Sequence, residues 1–102
     1  MTEITADTFK AQVHATFPNI DWQTNVHAWT LGKNPHSYRL TSEDNLLSVT
    51  YHAFQMTFEV GFSYFFRSEE HDNIDHAKND LIVRLRKHIE PTITVLAKLT
   101  AQ

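Results

Sequence analysis

Between Gln55 and Tyr64 apolar and polar side chains alternate without a miss. Met56, Phe58, Val60, Phe62 and Tyr64 stand against Gln55, Thr57, Glu59, Gly61 and Ser63. Period-two alternation of this length specifies a β-strand with one dry face and one wet face. The run before it obeys nearly the same rule, with Leu47, Val49, Tyr51 and Ala53 set against Leu46, Ser48, Thr50, His52 and Phe54. Two neighbouring half-wet strands belong to an antiparallel sheet, because parallel sheets are covered on both faces and need near-continuous apolar strands. The two strands are expected at 46–54 and 55–65. The link at Phe54–Gln55 contains no Gly, Asn or Asp and so requires a bulge or a wide turn.

A helix is expected ahead of the sheet. Thr5 suits an N-cap, Asp7 the positive end of the helix dipole, and Ile4 with Phe9 the two positions of a hydrophobic staple. Phe9, Val13 and Phe17 recur at four-residue spacing, and Pro18 stops the helix near Thr16. A strand over Asn25–Leu31, a turn at Gly32–Pro35, a short strand Ser37–Leu40 and a polar turn at 41–45 then lead into the long strands. After them Ser68, Glu69 and Glu70 open a last helix, with Ile74, Ala77, Leu81, Leu85, His88 and Ile89 as its stripe. Pro91 is expected to kink or split that helix, and Ile93, Leu96, Ala97 and Leu99 resume the pattern. One α+β domain over residues 1–102 satisfies these faces. It is a two-layer sandwich, a four-stranded antiparallel sheet with N- and C-terminal helices in the order αββββα. Phe58, Val60, Phe62, Leu81 and Leu85 are expected to share its core.

Composition narrows the function by exclusion. The chain has 102 residues, no Cys, two Gly and a net charge of −3 with its seven His neutral. Without thiols there is no disulfide framework, thiolate zinc site or thiol nucleophile. Binding nucleic acid by direct phosphate neutralisation needs a basic excess that this chain lacks. No stretch approaches the roughly 20 apolar residues of a membrane helix. The opening MTEITADTFK has neither the basic nor the apolar region of a secretory signal, so a cytoplasmic location in the host cell is expected. No nucleophile elbow, P-loop, dinucleotide fingerprint or calcium loop is present, and neither catalytic residues nor a cofactor are expected.

The densest group of metal-ligating types is His71-Asp-Asn-Ile-Asp-His76. On a helix Asp72 and His76, and likewise His71 and Asp75, would stand four apart. The two His are five apart rather than the four of a zinc-binding helix, so the segment reads as a solvated acidic first turn. No metal is expected; were one bound, His71, Asp72, Asp75 and His76 would hold it. His52 and Glu59 lie on the polar faces of neighbouring strands. That geometry is compatible with acid–base chemistry and is read more simply as a cross-strand polar pair.

The expected working surface is the wet face of the sheet. Trp29, Leu46 and Phe54, with His27 and Leu31, stand there among Thr50, Thr57, Glu59 and Ser63. Aromatic rings among small polar groups compose protein-recognition surfaces. The competing expectation is that Pro91–Leu99 or a dimer mate folds across them. Charge is also segregated on the last helix, acidic over 69–80 and basic at Arg84, Arg86, Lys87 and Lys98. This arrangement suits the helix dipole, and equally a docking surface or antiparallel pairing with a second copy.

The sequence thus leads to a small non-enzymatic factor that covers a surface of another protein through Trp29, Phe54, His27, Glu59, Arg84 and Lys87. An inhibitor, immunity or anti-defence protein of a phage or mobile element fits such a short, mildly acidic chain without cofactor motifs. Two other classes stand beside it: a His-dependent metal-binding enzyme or sensor, and a structural homodimeric component.

Overall fold

The structure is a computed structural model, and it describes residues 4–30, 32 and 35–101. Helix α1 (Ala6–Thr16) starts at Thr5 through a reciprocal cap. Thr8 N donates to Thr5 Oγ1 at 3.2 Å, and Thr5 N donates to Thr8 Oγ1 at 2.8 Å. Thr8 thereby fills the role usually given to Glu or Gln. Ile4 packs against the core beside Phe9 and Val13, both fully buried, so the staple forms as well.

Five strands follow, β1 (His27–Trp29), β2 (Ser37–Thr41), β3 (Leu47–His52), β4 (Thr57–Phe62) and β5 (Phe66–Arg67). Each pairs antiparallel with the next, giving a simple meander in the order β1-β2-β3-β4-β5. Register places Tyr38 opposite Tyr51 and Tyr51 opposite Phe58, with Leu40, Val49 and Val60 in the adjacent row. These two rows form the dry face. Their aromatic rings run on from α1, with centroid separations of 5.8 Å for Phe9–Tyr38, 6.5 Å for Tyr38–Tyr51 and 5.0 Å for Tyr51–Phe58. Helix α2 (Ile74–Thr100) closes the same face with Ile74, Ala77 and Leu81. Phe58, Val60 and Leu81 lie inside this core, and Phe62 and Leu85 are half-buried against it. The result is a two-layer α+β sandwich.

Several boundaries differ from those expected, and left-handed backbone explains most of them. Asn45 (φ 63°), Met56 (φ 53°) and Ser63 (φ 58°) each stand in a hairpin turn. The two long strands therefore shorten to Leu47–His52 and Thr57–Phe62. Met56 and Tyr64, expected on the dry face, are instead exposed in turns. Reversal at Ser63 also returns the chain along β4, so Phe66–Arg67 adds a fifth strand where four were expected. Ser68, Glu69 and Glu70 do not begin the last helix. Ser68 is buried at the sheet edge, where its hydroxyl accepts from Val60 N at 2.9 Å. His71 bridges to Phe58, and Asn73 caps α2 by accepting from Asp75 N and His76 N. Leu31 of the expected first strand and wet face lies outside the described residues, as do Lys33 and Asn34 of the turn that follows.

Helix α2 is not split. It runs through Pro91 as one element of 27 residues, about 40 Å at 1.5 Å per residue. The molecule measures 62 × 25 × 23 Å, and much of that long dimension is this helix leaving the sandwich. Every residue from 86 to 101 is exposed. Pro91–Leu99 thus projects away instead of folding across the sheet. Among the described residues no helix is long and apolar enough to cross a membrane.

Candidate partner-binding face

The second face of the sheet carries no helix. Its central row, set by register, is Arg39, Thr50 and Glu59, flanked by Thr41, Ser48 and Gly61 on one side and by Ser37, His52 and Thr57 on the other. Arg39 lies across this face. Its Nε donates to Thr50 Oγ1 at 3.1 Å, and its guanidinium carbon stands 5.6 Å from the Trp29 ring centroid. The Trp29 ring is stacked on His27 with centroids 5.5 Å apart, so the indole is held by a cation–π contact and a ring contact together.

Trp29, Thr30, Pro35, Ser37, His52, Phe54 and Gln55 line a cavity of about 190 Å³ at one end of the face. Trp29 comes from the outer strand and Phe54 from the β3–β4 turn, so residues 25 apart in sequence share one wall. His52 forms its inner end. Its Nε2 is inaccessible to solvent and has no hydrogen-bond partner among the described residues, while Glu70 Oε1 lies 3.7 Å away and Glu59 Oε2 4.0 Å away. Thr57 Oγ1 donates to Glu70 Oε1 at 3.0 Å and fixes that carboxylate in place. The cleft therefore offers two aromatic rings, Pro35, the small polar groups of Thr30, Ser37 and Gln55, and one imidazole that has the Glu59 and Glu70 carboxylates beside it. A protruding apolar or cationic side chain meets complementary chemistry there.

Four of the six expected contact residues, Trp29, Phe54, His27 and Glu59, gather at this end. Arg84 and Lys87 do not join them. They stand on α2 beside Tyr64, Phe65, Phe66 and Arg67, where a second cavity of about 480 Å³ opens. Arg84 is engaged there, its Nε donating to Asp80 Oδ1 at 2.8 Å and its Nη2 standing 3.6 Å from Glu69 Oε1. Leu46 and Ser63 are not on the sheet face either. Both sit in hairpin turns, and Leu46 borders a different cavity with Leu47 and Phe62.

The acidic–histidine segment is taken up by structure. His71 Nε2 and Asp80 Oδ2 are hydrogen-bonded at 2.9 Å, and the same oxygen accepts from Glu69 N at 2.8 Å. The bonds from His71, Arg84 and Glu69 hold the Asp80 carboxyl well below the usual carboxylate range. Asp72 precedes the cap, so it cannot pair with His76 across a helical turn. Among the described residues no group of three or more His, Asp or Glu could hold a metal ion.

Two exposed rings escaped the sequence reading. Tyr64 is 93% and Phe65 83% exposed, at the tip of the β4–β5 turn. The run Tyr64-Phe65-Phe66 held the signal, since three consecutive aromatics cannot all face one side of a strand. No family model, curated protein or solved structure matches this chain.

Proposed function

We propose that this chain is a small binding protein that acts by covering the surface of another protein with the uncovered face of its sheet. Trp29 and Phe54 are the anchors, His27 and Arg39 brace the indole, and His52, Glu59 and Glu70 supply polar complementarity at the inner end. One observation carries the reading: two aromatic side chains that the core does not use meet in one cleft beside a polar sheet face. Binding energy in protein interfaces concentrates in such buried aromatic anchors ringed by polar groups. Inhibition or masking of the partner follows directly, because an occluded surface cannot serve its other ligands. Arg84 and Lys87 lie away from this cleft and act on association rate and salt dependence more than on lifetime.

Affinity capture from the encoding organism's lysate, compared by quantitative mass spectrometry for wild type and a Trp29→Ala/Phe54→Ala double variant, tests the reading. A protein retained by wild type and lost by the double variant is the expected result. With that protein purified, each single substitution should weaken binding by about 1–2 kcal/mol. Equal capture by both chains would remove the sheet face from the function.

A further inference from the structure

A second site lies where the β4–β5 turn meets α2. Three of the chain's nine Lys and Arg, namely Arg67, Arg84 and Lys87, line one cavity of about 480 Å³ with Tyr64, Phe65 and Phe66. No carboxylate is among these six, although the whole chain carries a net charge of −3. The local sign is opposite to that of the molecule. Arg84 is already matched by Asp80 and Glu69. The side chains of Arg67 and Lys87 make no ion pair or hydrogen bond among the described residues. The turn itself is pinned at both ends. Ser63 N donates to Leu46 O at 2.7 Å, and Phe66 rests on the core with its ring 4.8 Å from that of His88 on α2. Between these anchors Tyr64 and Phe65 are turned outward, 93% and 83% exposed. Two adjacent rings left in water beside two uncompensated cations are the composition of a recognition site.

We propose that this cavity takes a short acidic segment of another protein, an extended stretch with an apolar side chain between two carboxylates. The apolar side chain lies against Tyr64 and Phe65, and the carboxylates pair with Arg67 and Lys87. Charge selects this occupant over a nucleic acid strand. Such a strand brings one phosphate per nucleotide over roughly four or more nucleotides, against two free cations bordered by Glu69 and Asp80. A peptide with two carboxylates matches the two cations and can end where they end. The site also meets the uncovered face of the sheet. A Cβ on Gly61 would stand 3.3 Å from Ser48 Oγ and 3.9 Å from Arg67 Cγ, so the Arg67 stem lies on the same face as Ser48. A protein lying on that face reaches the cavity over the β5 edge, and this step alone rests on the function proposed above.

Amide-shift titration of the isotope-labelled full chain at low salt tests the site without the unidentified partner. The probe is an end-blocked pentapeptide, a phenylalanine between two glutamates with serine at each end. Shifts confined to residues 64–67 and 84–88 are the expected result. Lys87→Glu and Phe65→Ala should each weaken binding by roughly 5-fold or more, as should glutamine in place of both glutamates of the probe. Lys98→Glu makes the same charge change elsewhere on α2 and should leave the affinity unchanged. Lys87, Phe65 and Lys98 are all exposed, and an unchanged thermal midpoint confirms that each variant folds. No shift at about 5 mM peptide, equal binding of the glutamine probe, or an equal loss with Lys98→Glu would each overturn the proposal. So would tighter binding of a short oligothymidylate or of phosphatidylserine vesicles, which would assign the cavity to nucleic acid or to a membrane surface. This titration and the capture experiment on Trp29 and Phe54 share no residue, so either reading can fail alone.

Discussion

From Ile74 to Leu85 the apolar stripe of α2 lies on β4 and β5, and Leu81 is 4% exposed. From Ile89 to Leu99 the same stripe continues in the same angular sector, and Leu99 is 77% exposed. One helix therefore holds two regions with equal amphipathicity and opposite surroundings. Periodicity states which face of a helix needs burial; it does not state what buries it. In the first half the sheet of the same chain supplies the cover, and polar bonds from Asp80 lock it. In the second half the sheet has ended. The difference is one of reach, about 40 Å of helix against a sheet of five short strands.

The largest effect should separate the two halves. Leu81→Ala removes a buried side chain from the core it shares with Phe58 and Val60 and should cost about 2–5 kcal/mol in urea unfolding. Leu96→Ala, at a side chain 57% exposed, should change stability by no more than about 0.5 kcal/mol. Comparable losses would mean that the projecting half is held by the fold after all.

Pro91→Ala should sharpen the contrast. Proline in a helix interior costs about 3 kcal/mol through its missing N–H and its clash with the preceding turn. Restoring that N–H gives it the Lys87 carbonyl as partner. Because the sheet does not hold this region, the gain should stay local. Amide exchange over residues 92–100 should slow by on the order of 100-fold while the global unfolding midpoint barely moves. An equal rise in the midpoint would show one cooperative unit instead of two regions.

These regions also mark how far the sequence could be read. The dry face was legible from Val49, Tyr51, Phe58 and Val60, since alternation is local and every second residue carries the same signal. The Thr5 cap and the Ile4–Phe9 staple were legible for the same reason. Turns were less so. Met56 and Ser63 adopt left-handed backbone at positions where Gly or Asn would have announced a turn, so alternation appeared to run on through them. The clustering of Trp29 with Phe54 followed once both were placed on the wet side. The aromatic turn at Tyr64–Phe65 did not, because it depends on where β4 stops. Nothing in the spacing of Ile89, Leu96 and Leu99 tells that the sheet ends before them.

Asp80 should show the next smaller effect, confined to the first half of α2. Its carboxylate ties His71, Glu69 and Arg84 to the helix and is held well below its ordinary value of 3.8. A carboxyl lowered in the folded state contributes stability that is fully present above its unfolded value and is lost as pH falls through the folded one. Wild type should therefore lose stability on acidification below about pH 4. Asp80→Asn should cost about 1–3 kcal/mol at neutral pH and flatten that acid slope. Identical slopes for the two chains in urea titrations at about pH 7 and pH 3 would remove Asp80 from the account.

Effects on stability in the cleft should be small beside those on binding, and that contrast is the point. Phe54 is 58% exposed in the β3–β4 turn, so Phe54→Ala deletes a ring with few core neighbours and should shift unfolding by about 0.5 kcal/mol or less. Trp29 is half-buried, stacked with His27 and beneath Arg39, and Trp29→Ala should cost about 1 kcal/mol through those lost contacts. Against a partner the ranking reverses. Both substitutions should weaken binding by about 1–2 kcal/mol, whereas Leu96→Ala should leave partner affinity untouched. Measuring stability and partner affinity on the same three variants separates the cleft from the projecting helix. If Phe54→Ala unfolds the chain as readily as Leu81→Ala, its ring belongs to the core, and the cleft is packing and not an exposed binding face.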